Sequence, residues 1–191
     1  MKPPPFSVLT ICGLEELDYH SAQRVSHVLS ILDPDWPEPD AFRAFDPHLR
    51  TTLHFHDAIE PGPGIVLPQK ADVEAILAIG RDAGDDLRHL LIHCHAGISR
   101  STAAMAMILA QAFPQDKEDA IVDRLMRIRP QALPNSRTIE FADELLGREG
   151  RLNAAVSRIY VRHLATRPEL AETMRRLNRA KEVDLGLRGK G

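Results

Sequence analysis

His93–Cys94–His95–Ala96–Gly97–Ile98–Ser99–Arg100–Ser101 lies between an apolar run, Leu87–Arg88–His89–Leu90–Leu91–Ile92, and a stretch of helix formers from Thr102 to Ala110. The run before it has the length and composition of a strand, and the stretch after it has no helix breaker. A strand, a tight loop with Gly and Ser, and then a helix is the setting of an anion site. Backbone N–H groups in such a loop are free, and the helix N-terminus adds positive potential. Into this loop the sequence places one thiol, Cys94, and one guanidinium, Arg100. The arrangement predicts an oxyanion held by Arg100 and the amides of residues 95–100, with the thiol beneath it as nucleophile.

The chain around the loop has 191 residues, enough for one domain with a sizeable core and an appendage. Hydrophobic residues make up 43% and charged residues 27%, as in a soluble globular protein. The net charge of −3 shows no overall bias toward nucleic acid or anionic membrane. It hides an asymmetry: residues 150–191 hold ten Lys and Arg against four Asp and Glu. Such a basic tail serves either as a solvated helix face or as a dock for an acidic partner. Two cysteines, Cys12 and Cys94, make no disulfide framework and fit a reducing compartment. No apolar stretch reaches the roughly 18 residues that span a bilayer. The expectation is a cytoplasmic protein without membrane or nucleic-acid partners.

Met1–Pro5, with three prolines, reads as an extended leader. Strands are expected at Phe6–Cys12, Val25–Leu32, Arg50–His56 and up to Ile92. Helices are expected at Leu14–Arg24, Ala41–Phe45 (one turn), Asp72–Gly84, Ser99–Phe113, Asp116–Ile128, and from a cap at Asn135 to Leu146. Asp33–Asp40 and Ile59–Pro68, both rich in proline, are loops. Arg151–Ala165 and Pro168–Lys181 read as two further helices that either pack on the domain or form homodimer contacts. Gly186–Gly191 should fray. Strands alternating with helices early and helices clustering late predict an α/β fold. Its central, mostly parallel twisted sheet of four to five strands carries helices on both sides. The catalytic domain is placed at 1–149 and a basic helical extension at 150–191.

The pattern His-Cys-x-x-Gly-x-x-Arg-Ser at 93–101 resembles the phosphate loop of the cysteine-dependent protein tyrosine phosphatase superfamily, specifically the dual-specificity type. Arg129–Pro130 and Pro134–Asn135 resemble a downstream element of that family, and Asp57, closing a strand, resembles the position of its general acid. The likeness runs from about residue 10 to 147 and implies a phosphomonoesterase working through a phosphocysteine at Cys94. It also implies that Ser101 helps the thiolate leave and that His93 orders the loop.

Residue chemistry supports these roles. A thiol of ordinary pKa, about 8.5, is mostly protonated at neutral pH, and only thiolate attacks. Loop amides, the helix N-terminus and Arg100 all favour the anion. The planar fork of Arg100 matches two phosphoryl oxygens, which Lys could not do. Gly97 permits the turn that aims amides inward. His95, Ala96, Ile98 and Ser99 complete the substrate-binding loop. They bring none of the lysines that phosphoinositide phosphatases of the resembled superfamily place there, so the resemblance disfavours a polyanionic lipid and leaves a phosphotyrosyl protein as the fit. Asp57 opens a Gly/Pro-rich loop and is the candidate acid, then base. Asp72 is read as an N-cap, and Glu60 and Asp46 are weaker alternatives. Asn135 is a cap that also braces the loop. Cys12 is read as a core residue, with a protective disulfide to Cys94 left open by the resemblance.

Other readings stay open. A phosphate-binding pseudophosphatase or regulatory module would keep the loop without turnover. A sulfur transferase or arsenate reductase also uses a cysteine in an anion loop, but neither accounts for His93, Ser101 or Pro134–Asn135. A metal site built on His54, His56, Asp57, His93, Cys94 and His95 would leave Gly97, Arg100 and Ser101 unexplained. No metal or cofactor is implied.

Overall fold

The computed structural model describes residues 7–82 and 89–188. The Met1–Pro5 leader, Phe6, the helix stop at Gly84, the strand start at Leu87–Arg88 and the last three residues lie outside them. Four strands, β1 (Val8–Cys12), β2 (His27–Leu32), β3 (Leu49–His54) and β4 (His89–His93), form one parallel sheet in the order β1-β4-β2-β3. The register pairs Cys12 with His93 and Ser30 with His93. β4 is buried along its whole length, as expected for a parallel strand between two others. Because every strand runs the same way, the C-terminal ends of all four meet at one edge. This is the edge where ligands bind in open α/β sheets.

Alternate residues of the central strands serve two cores. Leu29, Ile31, Leu90 and Ile92 join the larger one, with the helices α1 (Lys70–Asp82), α2 (Arg100–Ala112), α3 (Glu118–Ile128), α4 (Ser136–Leu145) and α5 (Arg151–Thr166). Val28 and Leu91 face a smaller core with Leu17 and Phe42, which two short 3₁₀ helices, Leu14–His20 and Asp40–Ala44, bring to the other face. Helices therefore cover both faces, but the second is covered only by 3₁₀ turns. The sequence there was expected to form an ordinary helix over Leu14–Arg24. Instead the 3₁₀ helix ends at His20, and Arg24 adopts φ +50°.

α2 is the central helix, buried from Arg100 to Ala110. Arg148 sits under its C-terminal end and donates to the Ala110 and Phe113 carbonyls at 2.6 and 3.1 Å, a cation placed where the helix dipole is negative. Asp143 does the converse for α5, accepting from the amides of Gly150, Leu152 and Asn153. These two buried charges lock the start of the C-terminal segment onto the body of the fold.

That segment departs from expectation at one place. Pro168–Lys181 is not a single helix: α6 (Leu170–Arg176) stops, Asn178 turns with φ +55°, and α7 (Ala180–Arg188) begins. Asn tolerates the left-handed region better than most residues, and here it replaces the expected helical continuation. Nor does Gly186 fray. It is buried in α7, and a Cβ there would lie 2.5 Å from Leu164 Cδ1 and 3.2 Å from the Tyr160 carbonyl carbon. α7 thus packs tightly on α5 through a residue without a side chain. Gly186→Leu should overpack this contact and lower stability by about 1–3 kcal/mol, read as a reduced urea midpoint at unchanged slope.

Candidate active site

Between β4 and α2 the chain makes a bed whose outside is tied down carbonyl by carbonyl. The His95 carbonyl accepts from Leu14 N–H at 2.9 Å. Those of Ala96 and Gly97 accept from the Arg129 guanidinium at 3.3 and 3.0 Å. The Ile98 carbonyl accepts from Leu133 N–H at 2.8 Å and from Thr102 Oγ1 at 2.6 Å. Ser99 carbonyl takes Ala103 N–H at 2.9 Å. In a trans peptide the following N–H points opposite to the carbonyl. With the carbonyls of residues 95–99 turned out, the amides of residues 96–100 turn the other way, the arrangement of backbone nests that can hold an anion.

Gly97 makes this possible. Its φ is +68°, and an added Cβ would lie 2.5 Å from the Cys12 carbonyl carbon and 2.6 Å from Gly13 N. The loop therefore rests directly on the end of β1. Arg129, which secures the loop's rim, is itself held by both oxygens of Glu16 at 2.9 and 2.7 Å, and Glu16 also accepts from Gly13 N–H.

Inside the bed, Cys94 is 3% exposed and its Sγ is 3.2 Å from Ser101 Oγ. Arg100 is 4% exposed. Its Nη1 donates to Asp33 Oδ1 at 2.6 Å and to the Phe55 carbonyl at 2.7 Å. Its Nε is buried with no hydrogen-bond partner among the described residues. A buried guanidinium N–H left without an acceptor is costly unless a ligand supplies one. His93 has no exposure and its Nε2 lies 2.6 Å from Ser30 Oγ, beside the Phe42 ring. His95 turns to the rim, where its Nε2 accepts from Asp33 N–H and its ring lies 4.3 Å from that of Trp36.

Asp57 is brought to the bed. One carboxylate oxygen accepts from Ser99 Oγ at 2.6 Å and from Asn135 Nδ2 at 3.1 Å; the other faces Arg179 Nη1 at 3.3 Å. Burial works to raise its pKa. The Arg179 and Arg100 guanidiniums and the two hydrogen-bond donors outweigh burial and hold the carboxyl below its ordinary value. Asn135 also caps α4 through Thr138 N–H, as expected, but the side chain braces the Asp57–Ala58 turn, donating to the Ala58 carbonyl at 3.3 Å, and not the 93–101 loop. Asp72 is not an N-cap: it lies in the first turn of α1 and accepts from Gln69 N–H at 2.7 Å.

The site opens into a cavity of about 390 Å³ with Cys94, His95 and Ser99 on one side. Ile65, Ile98 and Leu133 form part of the wall, and Leu170, Met174 and Leu177 of the C-terminal segment supply more of it.

No family model matches the sequence, and no curated protein matches it. Solved structures do. DUSP15 aligns with a TM-score of 0.54 at 17% identity, over 80% of this chain and 92% of its own. PTPMT1, solved in complex with PI(5)P, aligns with a TM-score of 0.53 at 13% identity, over 74% and 92%. The human tyrosine phosphatase-like serine/threonine/tyrosine-interacting protein aligns with a TM-score of 0.53 at 16% identity, over 72% and 87%. The chain has the dual-specificity phosphatase fold.

Within this fold, four residues had no local signal in the sequence: Asp33 on Arg100, Glu16 behind Arg129, Arg179 on Asp57, and Glu182 behind Arg179. The excess of basic residues after position 150 was a signal for Arg179, but it gave no means of picking one arginine from eight. Of the histidines considered for metal, His56 Nδ1 accepts from Val66 N–H and His54 Nδ1 lies 3.2 Å from the Asp33 carbonyl. Among the described residues no group of three or more His, Cys, Asp or Glu could hold a metal ion. Cys12 and Cys94 are both free and buried. Burial, with Glu16 nearby, pushes the Cys12 thiol up to about 12, which keeps it protonated and a weak nucleophile.

Burial pushes the His93 imidazole down to about 4. The unfolded chain then binds a proton near pH 6.5 that the folded chain refuses until pH 4. Stability from this group is therefore full above pH 6.5 and falls on acidification, by on the order of 3 kcal/mol across that window. Urea titrations at pH 7 and pH 4.5 should show a smaller acid loss in His93→Gln than in the parent protein.

Proposed function

We propose that the chain is a phosphomonoesterase that works through a phosphocysteine at Cys94. The observation that carries the reading is the buried Arg100 Nε, without an acceptor among the described residues, in a loop whose carbonyls are turned away from the buried thiol of Cys94. A phosphoryl group has the charge and the planar equatorial oxygens that such a bed fits.

In the first half-reaction the Cys94 thiolate attacks phosphorus, the ester P–O bond breaks, and Asp57 in its protonated form gives its proton to the leaving oxygen. In the second, Asp57 takes a proton from water as that water attacks the phosphocysteine. The S–P bond breaks, Ser101 hydrogen-bonds the departing thiolate, and inorganic phosphate leaves. The amides of His95, Ala96, Gly97, Ile98, Ser99 and Arg100, with the Arg100 guanidinium, carry the charge that develops on the equatorial oxygens. His93 and Asn135 hold the loop and the acid in place. Phosphoryl transfer asks mainly for positioning and charge stabilisation, so this set suffices without a metal ion.

The apolar wall of the cavity supports an aromatic ester such as phosphotyrosine, and the loop's lack of lysine supports protein over polyanionic lipid. One structural neighbour was solved with a phosphoinositide, so PI(5)P belongs beside phosphotyrosyl and phosphoseryl peptides in the substrate panel. The second reading, a phosphate-binding module without turnover, is the outcome if wild-type protein binds tungstate but hydrolyses none of the panel.

Cys94→Ser should abolish hydrolysis of 4-nitrophenyl phosphate while tungstate binding, measured by calorimetry, persists. Turnover retained by that variant would overturn the mechanism. Asp57→Asn should lower kcat for phenyl phosphate, a poor leaving group, by about 10²- to 10⁴-fold, and less for 4-nitrophenyl phosphate. Equal losses on both esters would place the acid elsewhere.

A further inference from the structure

The segment after residue 150 reaches the acid itself. Asn178, at the turn between α6 and α7, accepts through its carbonyl from both Ile59 N–H and Glu60 N–H at 3.1 Å. The next residue, Arg179, is 2% exposed and uses its whole fork. Nη1 donates to Ser99 Oγ at 2.6 Å and faces Asp57 Oδ2; Nη2 donates to the Leu133 carbonyl at 2.9 Å; Nε donates to Glu182. Glu182, with no exposure, is anchored in turn by Ser136 N–H at the start of α4, at 2.7 Å. A guanidinium this deep is expensive to bury, and its geometry is fixed from four sides.

The charged and titratable groups around Asp57 come from several elements. Arg100 faces it from α2, Arg179 from the α6–α7 turn, His95 from the loop and Tyr160 from α5, with Glu182 behind Arg179. When a phosphate dianion enters the bed, Arg100 is engaged by the phosphoryl oxygens. Arg179 is then the cation left to face the carboxyl of Asp57 while it must hold and release a proton. Ser99 connects the two, accepting from Arg179 and donating to Asp57.

We infer, resting on the phosphatase reading above, that Arg179 is a positioning residue for Asp57. It fixes the acid's carboxylate against the phosphate loop and sets the upper pH limit of proton donation. The C-terminal segment is on this reading part of the catalytic apparatus, acting through Asp57 and not on the substrate.

The test is the pH dependence of kcat/KM for phenyl phosphate in the full chain. A cation 4–6 Å from a carboxylate lowers its pKa by roughly 1–3 units. Arg179→Gln should therefore move the high-pH limb upward by about one unit or more, with kcat at the optimum reduced through lost positioning. Arg179→Lys, which keeps the charge, should return the limb toward its wild-type place. Arg179→Gln leaves Glu182 buried and unpaired, so Arg179→Gln/Glu182→Gln, which neutralises both ends, is measured alongside it. A limb unmoved in whichever neutral variant folds, as judged by circular dichroism, overturns the inference even if overall activity falls. Should wild-type protein show no Cys94-dependent hydrolysis at all, the phosphatase reading fails first, and the two failures are distinguishable.

Discussion

The close seat of Gly97 on the Cys12–Gly13 backbone is the contact on which the site depends. Because no Cβ intervenes, the loop lies flat on the end of β1, and a left-handed φ at Gly97 is reached without strain. From that placement the rest follows. The His95 carbonyl meets Leu14 N–H, the next two carbonyls meet Arg129, and Ile98 meets Leu133. Each outward bond fixes one inward amide. The anion bed is thus made from outside, by acceptors satisfied on the far side of the peptide planes. Arg129 and Glu16, remote from any phosphate, matter as much to it as the residues that would touch one.

A second constraint is electrostatic. Arg100, Arg179, Asp57 and Glu182 are brought together where water is scarce, and each would be costly alone. They are tolerated because the partners alternate in sign and almost every donor is used. Arg100 Nε breaks this pattern: among the described residues it has no acceptor, and a phosphoryl oxygen would supply one. Pairs of this kind add little net stability over apolar packing, but removing one member leaves another unpaired. The network therefore works as a specification of geometry. It allows one arrangement of acid, loop and C-terminal turn and penalises others.

The loop, its flanking strand and helix, the place of Asp57 and the capping Asn135 were legible because their signals are local. An apolar run, a Gly at the turn, a helix-forming stretch and an Asp at a strand end all lie within a few residues of the feature they make. The four parallel strands followed from the same kind of pattern. The 3₁₀ turns over the second sheet face were less legible, since Leu14–His20 has good helix formers and a capping contact at its start, yet it stops at His20 ahead of the left-handed Arg24. Nothing in Pro168–Lys181 announces a break, so the sequence predicts one uniform helix there. Asn178 adopts its left-handed turn to satisfy Ile59 and Glu60, residues more than a hundred positions earlier. No local pattern could encode that, and the burial of Arg179 depends on it.

The consequence reaches the question of what the C-terminal segment is for. If α5–α7 merely lengthened the core, Gly186 against Tyr160 and Leu164 would be sufficient reason for it, and the turn at Asn178 could face solvent. Instead the turn is spent on the Asp57 loop, and Tyr160 OH donates to the Pro134 carbonyl beside Asn135, another of the side chains that hold Asp57. Two separate elements of the segment thus converge on the residues around one carboxylate. A segment added only for stability has no need of such convergence. One that fixes a proton donor does, because a carboxylate misplaced by even an ångström loses its reach to the leaving oxygen.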